Sequence, residues 1–321
     1  MNSVICTLFE KNYHYGLAAL ANSLYNNGYR GSIYAGYRGD LPPWAKDVKK
    51  NAVWNWENSS SIDVGEGLRI YFLPLSTDYH LTNYKPDFML QLLDGPAFNA
   101  NKIYYFDPDI VITKKWSLYE TWVEGGVALC EDVNSPMPKN HPRRQAWRKF
   151  YGERNITLTF KDAMYANGGF VGLHKRNKDF LIIWKIMQEK MATLIGGLNR
   201  SALSGEKLHE SLRHEFSPFP KTDQDALNAA VEAWDGDISF VGQEGMAFKP
   251  GASLMSHALG QPKPWNWKPI KQIIQGSRMN KVYADYWNFA NEPIMSQPNS
   301  LVWNRKIAFK VSRFIARFYS R

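Results

Sequence analysis

The feature that most constrains this chain is an alternation. Short apolar runs alternate with segments whose apolar residues repeat at helical spacing. Val4–Phe9, Ser32–Ala35, Leu68–Leu73, Lys102–Phe106, Gly126–Cys130 and Gly168–Leu173 read as strands. Extended structure resumes at Asp109–Thr113, and further strands fall near Asp237–Val241 and Ser253–Met255. Between them, Tyr15 to Tyr25 carries the helical period and stops at Asn26-Asn27-Gly28. Lys85–Leu93 is helical with Pro86 in its first turn, and Asp179–Ile195 and Asp223–Trp234 are helices. The order predicts an α/β fold with a mostly parallel central sheet flanked by helices and one main core. Glu131 to Ala166 interrupts the pattern. It is polar and basic in patches, at His141-Pro142-Arg143-Arg144 and Arg148-Lys149, and reads as an insertion over one sheet edge.

Composition narrows the class. With 321 residues, 44% of them hydrophobic and 21% charged, the chain can bury a large core and is neither disordered nor fibrous. No apolar run reaches the ~18 residues a membrane span needs. The first residues, Met1 to Gly16, have no basic stretch and too short an apolar one for a signal peptide. The two cysteines, Cys6 and Cys130, sit inside apolar strand runs and read as buried thiols of a cytosolic protein.

The net charge of +9 is local. Six of those charges fall in the last 21 residues, which hold no acidic residue, leaving +3 for the other 300. Lys306, Lys310, Arg313, Arg317 and Arg321 share one helical face. Trp303, Ile307, Val311, Phe314, Ile315 and Phe318 share a neighbouring one. A cationic helix with an aromatic stripe suits an anionic membrane surface; docking on the protein's own core is the competing expectation. Nucleic acid is not expected as a partner, because the body lacks a spread basic face.

Chemistry first appears at Asp107-Pro108-Asp109, between the apolar runs Ile103–Phe106 and Ile110–Ile112. Two carboxylates at a strand end, with a proline fixing the turn, make an oxygen-ligand site for Mg²⁺ or Mn²⁺. A carboxylate pair doing acid–base work is the rival function, and a surface turn is the bland one. Far downstream, Ser256 to Trp265 is polar chemistry wrapped in glycine and proline. There His257 offers a nitrogen ligand, Gly260 permits close backbone approach, and Lys263 offers a compact cation for a diphosphate.

These motifs resemble glycosyltransferase family 8, the family of glycogenin and the bacterial lipo-oligosaccharide galactosyltransferases. His257-x-x-Gly260-x-x-Lys263-Pro264-Trp265 is similar to its C-terminal signature, and Asp107-Pro108-Asp109 to its D-x-D. Asn167-Gly168-Gly169-Phe170 resembles its N-[ST]-G-[VF] segment, and Asp223-Gln224-Asp225-Ala226-Leu227-Asn228 its D-Q-x-x-L-N. The four lie in family order within residues 1–267.

The resemblance implies a GT-A fold over residues 1–300; segments 132–166 and 196–221 have no counterpart in the family and read as insertions shaping the acceptor side, and 301–321 reads as a basic amphipathic tail. The resemblance also implies retaining transfer of a hexose, galactose or glucose, from a UDP-sugar to a surface-glycan or lipid-linked acceptor. By that match Asp107, Asp109 and His257 hold Mn²⁺ or Mg²⁺, and Lys263 with Gly260 contacts the phosphates. Thr7, Leu8 and Tyr15 frame the base. Asn167, with Gly168 beside it, and Asp223 bind donor-sugar hydroxyls, and Gln224 lies near the anomeric carbon. Lys85 lies 22 positions before the D-x-D, further than is usual, and is either a donor contact or a solvated first-turn lysine. Glu131 or Asp132 either reaches the acceptor or sugar, or caps a loop. Trp265 and Trp267 are the tryptophans singled out for sugar stacking.

The expected place is the cytoplasm, peripheral on the inner face of the membrane. The rival functions are a non-catalytic sugar-nucleotide or glycan-binding protein and a sugar nucleotidyltransferase. The latter needs a glycine-rich basic loop after the first strand, which Thr7-Leu8-Phe9-Glu10-Lys11-Asn12 lacks.

Overall fold

The computed structural model describes residues 2–53, 55–202, 206–214, 216–270 and 281–316. Along the chain come β1 (Ser3–Glu10), α1 (His14–Asn26), β2 (Gly31–Arg38), β3 (Lys49–Lys50), β4 (Ser60–Gly65) and β5 (Leu68–Pro74). Next are α2 (Lys85–Asp94), β6 (Lys102–Phe106), β7 (Ile110–Ile112), α3 (Trp116–Trp122), β8 (Val127–Glu131) and α4 (Pro142–Gly152). Then follow β9 (Ala166–His174), α5 (Lys178–Ile195), β10 (Arg200–Ser201), β11 (Glu206–Lys207), α6 (Thr222–Ala233), β12 (Ile238–Val241) and β13 (Met255–His257). The helices Lys281–Asn288 and Asn299–Ala316 close the described chain.

Two compact units are woven from this order. The first holds Met1–Leu8, Leu75–Phe106 and Tyr119–Gln243; the second holds Phe9–Pro74, Asp107–Leu118 and Glu244–Arg321.

In the first unit the strand order is β12-β8-β9-β6-β1. β1 pairs parallel with β6, from Ser3↔Lys102 to Cys6↔Tyr105, and β12 pairs parallel with β8. β9, however, runs antiparallel to both β6 and β8. The sheet is therefore mixed, not mostly parallel. The reason lies in residues 132–166. A parallel neighbour requires a crossover to the opposite end of the sheet. This segment instead stays at the end where β8 finishes, so Glu131 pairs with Ala166, the first residue of β9.

The segment is more than a polar excursion. It contains α4, fixed to α6 by buried ion pairs. Arg144 binds Glu232, and Arg148 Nη2 lies 2.9 Å from Glu232 Oε1. Arg144 also donates to the carbonyls of Met137 at 2.6 Å and Met164 at 2.7 Å. Segment 196–221 packs on the same helix: Phe219 meets Phe150 edge-on at 5.0 Å, and Trp147 donates to the Pro218 carbonyl.

The second unit carries β2-β5-β4-β3, with β2 and β5 parallel, and the antiparallel pair β7–β13. Its core gathers Trp265, Trp267, Tyr283, Tyr286, Trp287 and Phe309. α1 is buried without a break from Gly16 to Leu24, as a helix inside a core must be. Cys6 and Cys130 are buried, and neither is in a disulfide.

The last helix docks on the protein's own core along one face and leaves an apolar stripe exposed along another. Val302, Phe309 and Ser312 are buried, and Phe309 packs on Trp267 at 4.9 Å. Trp303 (65% exposed), Ile307, Val311 and Phe314 (60%) stay outside. Lys306, Lys310 and Arg313 are exposed beside them. Arg317, Phe318 and Arg321 lie outside the described residues. No helix among the described residues is long and apolar enough to cross a membrane.

Candidate active site

Two polar clusters form, one within each unit. In the second unit the turn Asp107-Pro108-Asp109 leads into β7, whose register with β13 sets His257 opposite Ile110. Ala258 N–H donates to the Asp109 carbonyl at 3.1 Å, extending that pairing by one residue. Asp107, Asp109 and His257 thus converge, each with a ligand atom within 4.8 Å of the others. His257 Nε2 lies 3.4 Å from Asp109 Oδ1 and 3.9 Å from Asp107 Oδ2. Lys263 Nζ takes the other oxygen of Asp109 and donates to the Ala258 carbonyl at 2.8 Å. Asp109, His257 and Lys263 are buried, and Asp107 is half-buried.

Burial on its own raises the Asp109 carboxyl; the Lys263 ammonium, then His257, outweighs it and holds the group well below the usual carboxylate range. Burial likewise pulls the Lys263 ammonium down, and Asp109 with Tyr13 reverses that, so it stays charged. The donor set fits a divalent ion. Two carboxylates and an imidazole would suit Mn²⁺ and accommodate Mg²⁺, with Asp107, Asp109 and His257 as the residues that would hold it.

Two glycines shape this cluster. Gly260 has φ +71°, a left-handed conformation that favours glycine, and open space around its Cβ position. Gly16, in the first turn of α1, was not a sequence candidate. A Cβ there would lie 2.2 Å from the Pro108 carbonyl oxygen, so the helix approaches the carboxylate turn as only glycine allows. The signal available was a glycine placed where helix propensity disfavours it. Tyr13 was also missed; it lies under the Lys263 ammonium at 5.7 Å and against Trp265 at 5.4 Å.

The first unit holds the other cluster. Lys85 Nζ donates to the Gly168 carbonyl at 2.8 Å and pairs with Asp223 Oδ2 at 3.1 Å. Gly168 N–H donates to Gln224 Oε1 at 3.1 Å. Lys85 is 1% exposed, which overturns the solvated-lysine expectation: burial of its ammonium is matched by a carboxylate, a carbonyl and the Tyr105 ring at 5.1 Å. Asn228 ties the motif together, accepting from Ala166 N–H at 2.7 Å and donating to the Gln224 carbonyl at 2.8 Å. Asp225 faces away into the core. It accepts from Tyr165 at 2.8 Å and from the Lys221 N–H at 2.7 Å, and burial pushes its carboxyl up to about 7.

Asn167 bonds to Asp132, whose carboxylate also accepts from Asn134 N–H at 2.9 Å; of the two expectations for Asp132, the satisfied loop cap is the one observed. Glu131 is half-buried at the end of β8. Thr7 and Leu8 are buried in β1, and the Thr7 hydroxyl finds no hydrogen-bond partner among the described residues. Tyr15 is half-buried and packs towards Trp265 at 6.4 Å. Trp265 and Trp267 are core residues, 7% and 1% exposed, so neither offers a face for sugar stacking.

No family model and no curated protein matches the chain. Solved structures do. The chain is similar to the bifunctional glycosyltransferase WbbM at 12% identity and TM-score 0.52, over 95% of this chain and 52% of that one. It is similar to the glycosyltransferase GlyE of Streptococcus pneumoniae at 14% and 0.50, over 97% of this chain and 64% of that one. It is similar to the galactosyltransferase LgtC, solved with donor and acceptor sugar analogues, at 15% and 0.51, over 94% and 99%. The chain spans only about half of WbbM and under two thirds of GlyE. The likeness establishes the class of fold: this is an α/β chain with the GT-A fold of glycosyltransferases.

Proposed function

We propose that the chain is a metal-dependent, retaining glycosyltransferase that moves a hexose, galactose or glucose, from a UDP-sugar to a saccharide acceptor. The observation that carries this is the cluster of Asp107, Asp109 and His257 backed by the buried Lys263. Binding a sugar alone gives no reason to hold two carboxylates, an imidazole and an ammonium together; binding a diphosphate that must leave with its charge does. A bound Mn²⁺ or Mg²⁺ supplies charge stabilisation at that diphosphate. Lys263 adds a fixed positive charge, and Gly260 leaves room for phosphate oxygens. Thr7, Leu8 and Tyr15 are assigned to the base, and Asn167, Gly168 and Asp223 to the donor sugar. Lys85 acts there through Asp223 and the Gly168 carbonyl.

In the proposed reaction the bond from the anomeric carbon to the diphosphate oxygen breaks and its electron pair stays on that oxygen. The acceptor hydroxyl adds to the same face of the carbon, and its proton passes to the leaving diphosphate. Gln224 is assigned to hydrogen bonding near the anomeric carbon; a neutral amide is too weak a base and nucleophile for more.

Residues 1–300 are assigned to one glycosyltransferase domain, with 132–166 and 196–221 on the acceptor side. The exposed stripe of Trp303, Ile307, Val311 and Phe314 is assigned to an anionic membrane surface, at the cytoplasmic face where a growing surface glycan or lipid-linked acceptor is reached. The test is nucleotide release from UDP-, GDP- and CMP-sugars, with Mn²⁺ and then with EDTA. UDP release from one UDP-hexose, stopped by EDTA, is the expected result. Release that EDTA leaves unchanged removes the metal assignment. If no nucleotide is released and calorimetry with UDP and Mn²⁺ shows no binding, the function is wrong.

A further inference from the structure

Asp132 follows the last residue of β8, and its N–H donates to the Tyr165 carbonyl at 2.8 Å. That register sets its carboxylate beside Asn167. Oδ2 accepts from Asn167 Nδ2 at 2.6 Å, and Oδ1 accepts from the Asn134 N–H at 2.9 Å and from the Asn134 side chain. On the other side, Gly169 N–H donates to Asn167 Oδ1 at 2.8 Å. Gln243 Nε2 holds the turn by donating to the carbonyls of Asp132 at 3.0 Å and Ser135 at 3.1 Å. Asp132 and Asn167 are 3% and 2% exposed, so water does not compete freely for these bonds.

The two neighbours of Asn167 leave its amide a single orientation. A backbone N–H requires the amide oxygen, and an ionised carboxylate, which has no hydrogen, requires the amide nitrogen. A primary amide has two N–H bonds and two lone pairs. One of each is used here, so one N–H and one lone pair remain. A sugar hydroxyl, which both donates and accepts, matches that remainder.

We propose that Asp132 is a positioning residue: it locks the Asn167 carboxamide in the one orientation that offers a donor and an acceptor to a hydroxyl of the donor sugar. The inference rests on the assignment of Asn167 to that sugar, and it predicts discrimination between a UDP-hexose and UDP.

The experiment is calorimetry of UDP, UDP-galactose and UDP-glucose with Mn²⁺, alongside thermal unfolding. The proteins are the wild type, Asp132→Asn, Asn167→Asp and the double variant that exchanges the two residues. Asp132→Asn is expected to weaken the preferred UDP-hexose by about tenfold while UDP affinity holds within about twofold, because the lost bond concerns the sugar alone. The exchanged pair is the discriminating variant. An amide at 132 can still accept from Asn134 and donate to a carboxylate at 167, which can still accept from Gly169. Every structural hydrogen bond is therefore restored, but position 167 has no N–H left to give. Recovery of the unfolding temperature without recovery of hexose affinity is the expected result. Recovery of both reduces Asp132 to a strut between β8 and β9 and overturns the proposal. So does an unchanged ratio of UDP-hexose to UDP affinity in Asp132→Asn. A wild type that binds none of the three nucleotides overturns the proposed function as well, and the two failures are told apart by that control.

Discussion

The two clusters place a lysine against an aspartate in different ways. In the second unit, Lys263 and Asp109 pair beside two further groups, Asp107 and His257, and the two carboxylates and the imidazole each have a ligand atom within 4.8 Å of the others. In the first unit, Lys85 and Asp223 close a circuit that includes the Gly168 carbonyl, the Gly168 N–H and Gln224. One cluster gathers two carboxylates and an imidazole round a single ammonium, a donor set that suits a divalent ion. The other bonds Lys85 and Gln224 to the Gly168 backbone and leaves the buried Gln224 amide nitrogen with no partner among the described residues, which suits a site held in shape with a donor to spare.

That contrast breaks first on turnover. Asp109→Asn and Asp107→Asn are expected to lower metal-dependent UDP release by about 10³-fold or more while circular dichroism stays native, since a metal contributes several kcal/mol to the transition state. Native folding with full activity in either variant would remove the metal assignment.

Stability breaks it second. Lys85→Met leaves the Asp223 carboxylate, 11% exposed, without its cation and is expected to destabilise by about 3–5 kcal/mol in urea unfolding. Lys85→Arg should recover less than half of that, because a planar guanidinium does not fit a site built round a point charge.

A third test uses Asp225, next to both assigned groups of α6. Its folded pKa of about 7 lies above the ordinary carboxylate value of 3.8, so the folded state keeps a proton that the unfolded chain has lost. Stability from this group is full below about pH 4 and is lost as pH rises towards 7, a fall of a few kcal/mol at most. Unfolding free energy of Asp225→Asn should show a flatter slope over that range. An unchanged slope would place the titration elsewhere.

Gly16→Ala tests the second-unit turn more gently. The new Cβ meets the Pro108 carbonyl at 2.2 Å, so a loss of about 1–3 kcal/mol is expected, together with weakened Mn²⁺ binding by calorimetry. The smallest effect belongs to the exposed stripe. Trp303→Ala with Phe314→Ala should leave stability within about 0.5 kcal/mol and reduce sedimentation with anionic liposomes. Undiminished sedimentation would exclude the stripe. Deletion of the whole helix is a poorer test, because Val302 and Phe309 belong to the core.

The sequence determined the parts that depend on near neighbours. Strand runs such as Lys102–Phe106 and helices such as Lys178–Ile195 follow from period and breakers, and both fall within a residue of expectation. The carboxylate turn and the His257–Lys263 signature were legible because their spacing along the chain fixes most of their geometry. α4 was not, since its arginines look like a solvated face until Glu232, far along the chain, is placed against them. Nor was the direction of β9, which depends on where residues 132–166 end rather than on their composition. Tertiary structure alone decided that Lys85 is buried on Asp223, that Asp132 answers to Asn167, and that Trp267 is core rather than sugar platform. Each of these depends on a partner brought close by the fold, and the free energy of a buried charge or hydrogen bond is set by that partner, not by the residue's neighbours in sequence.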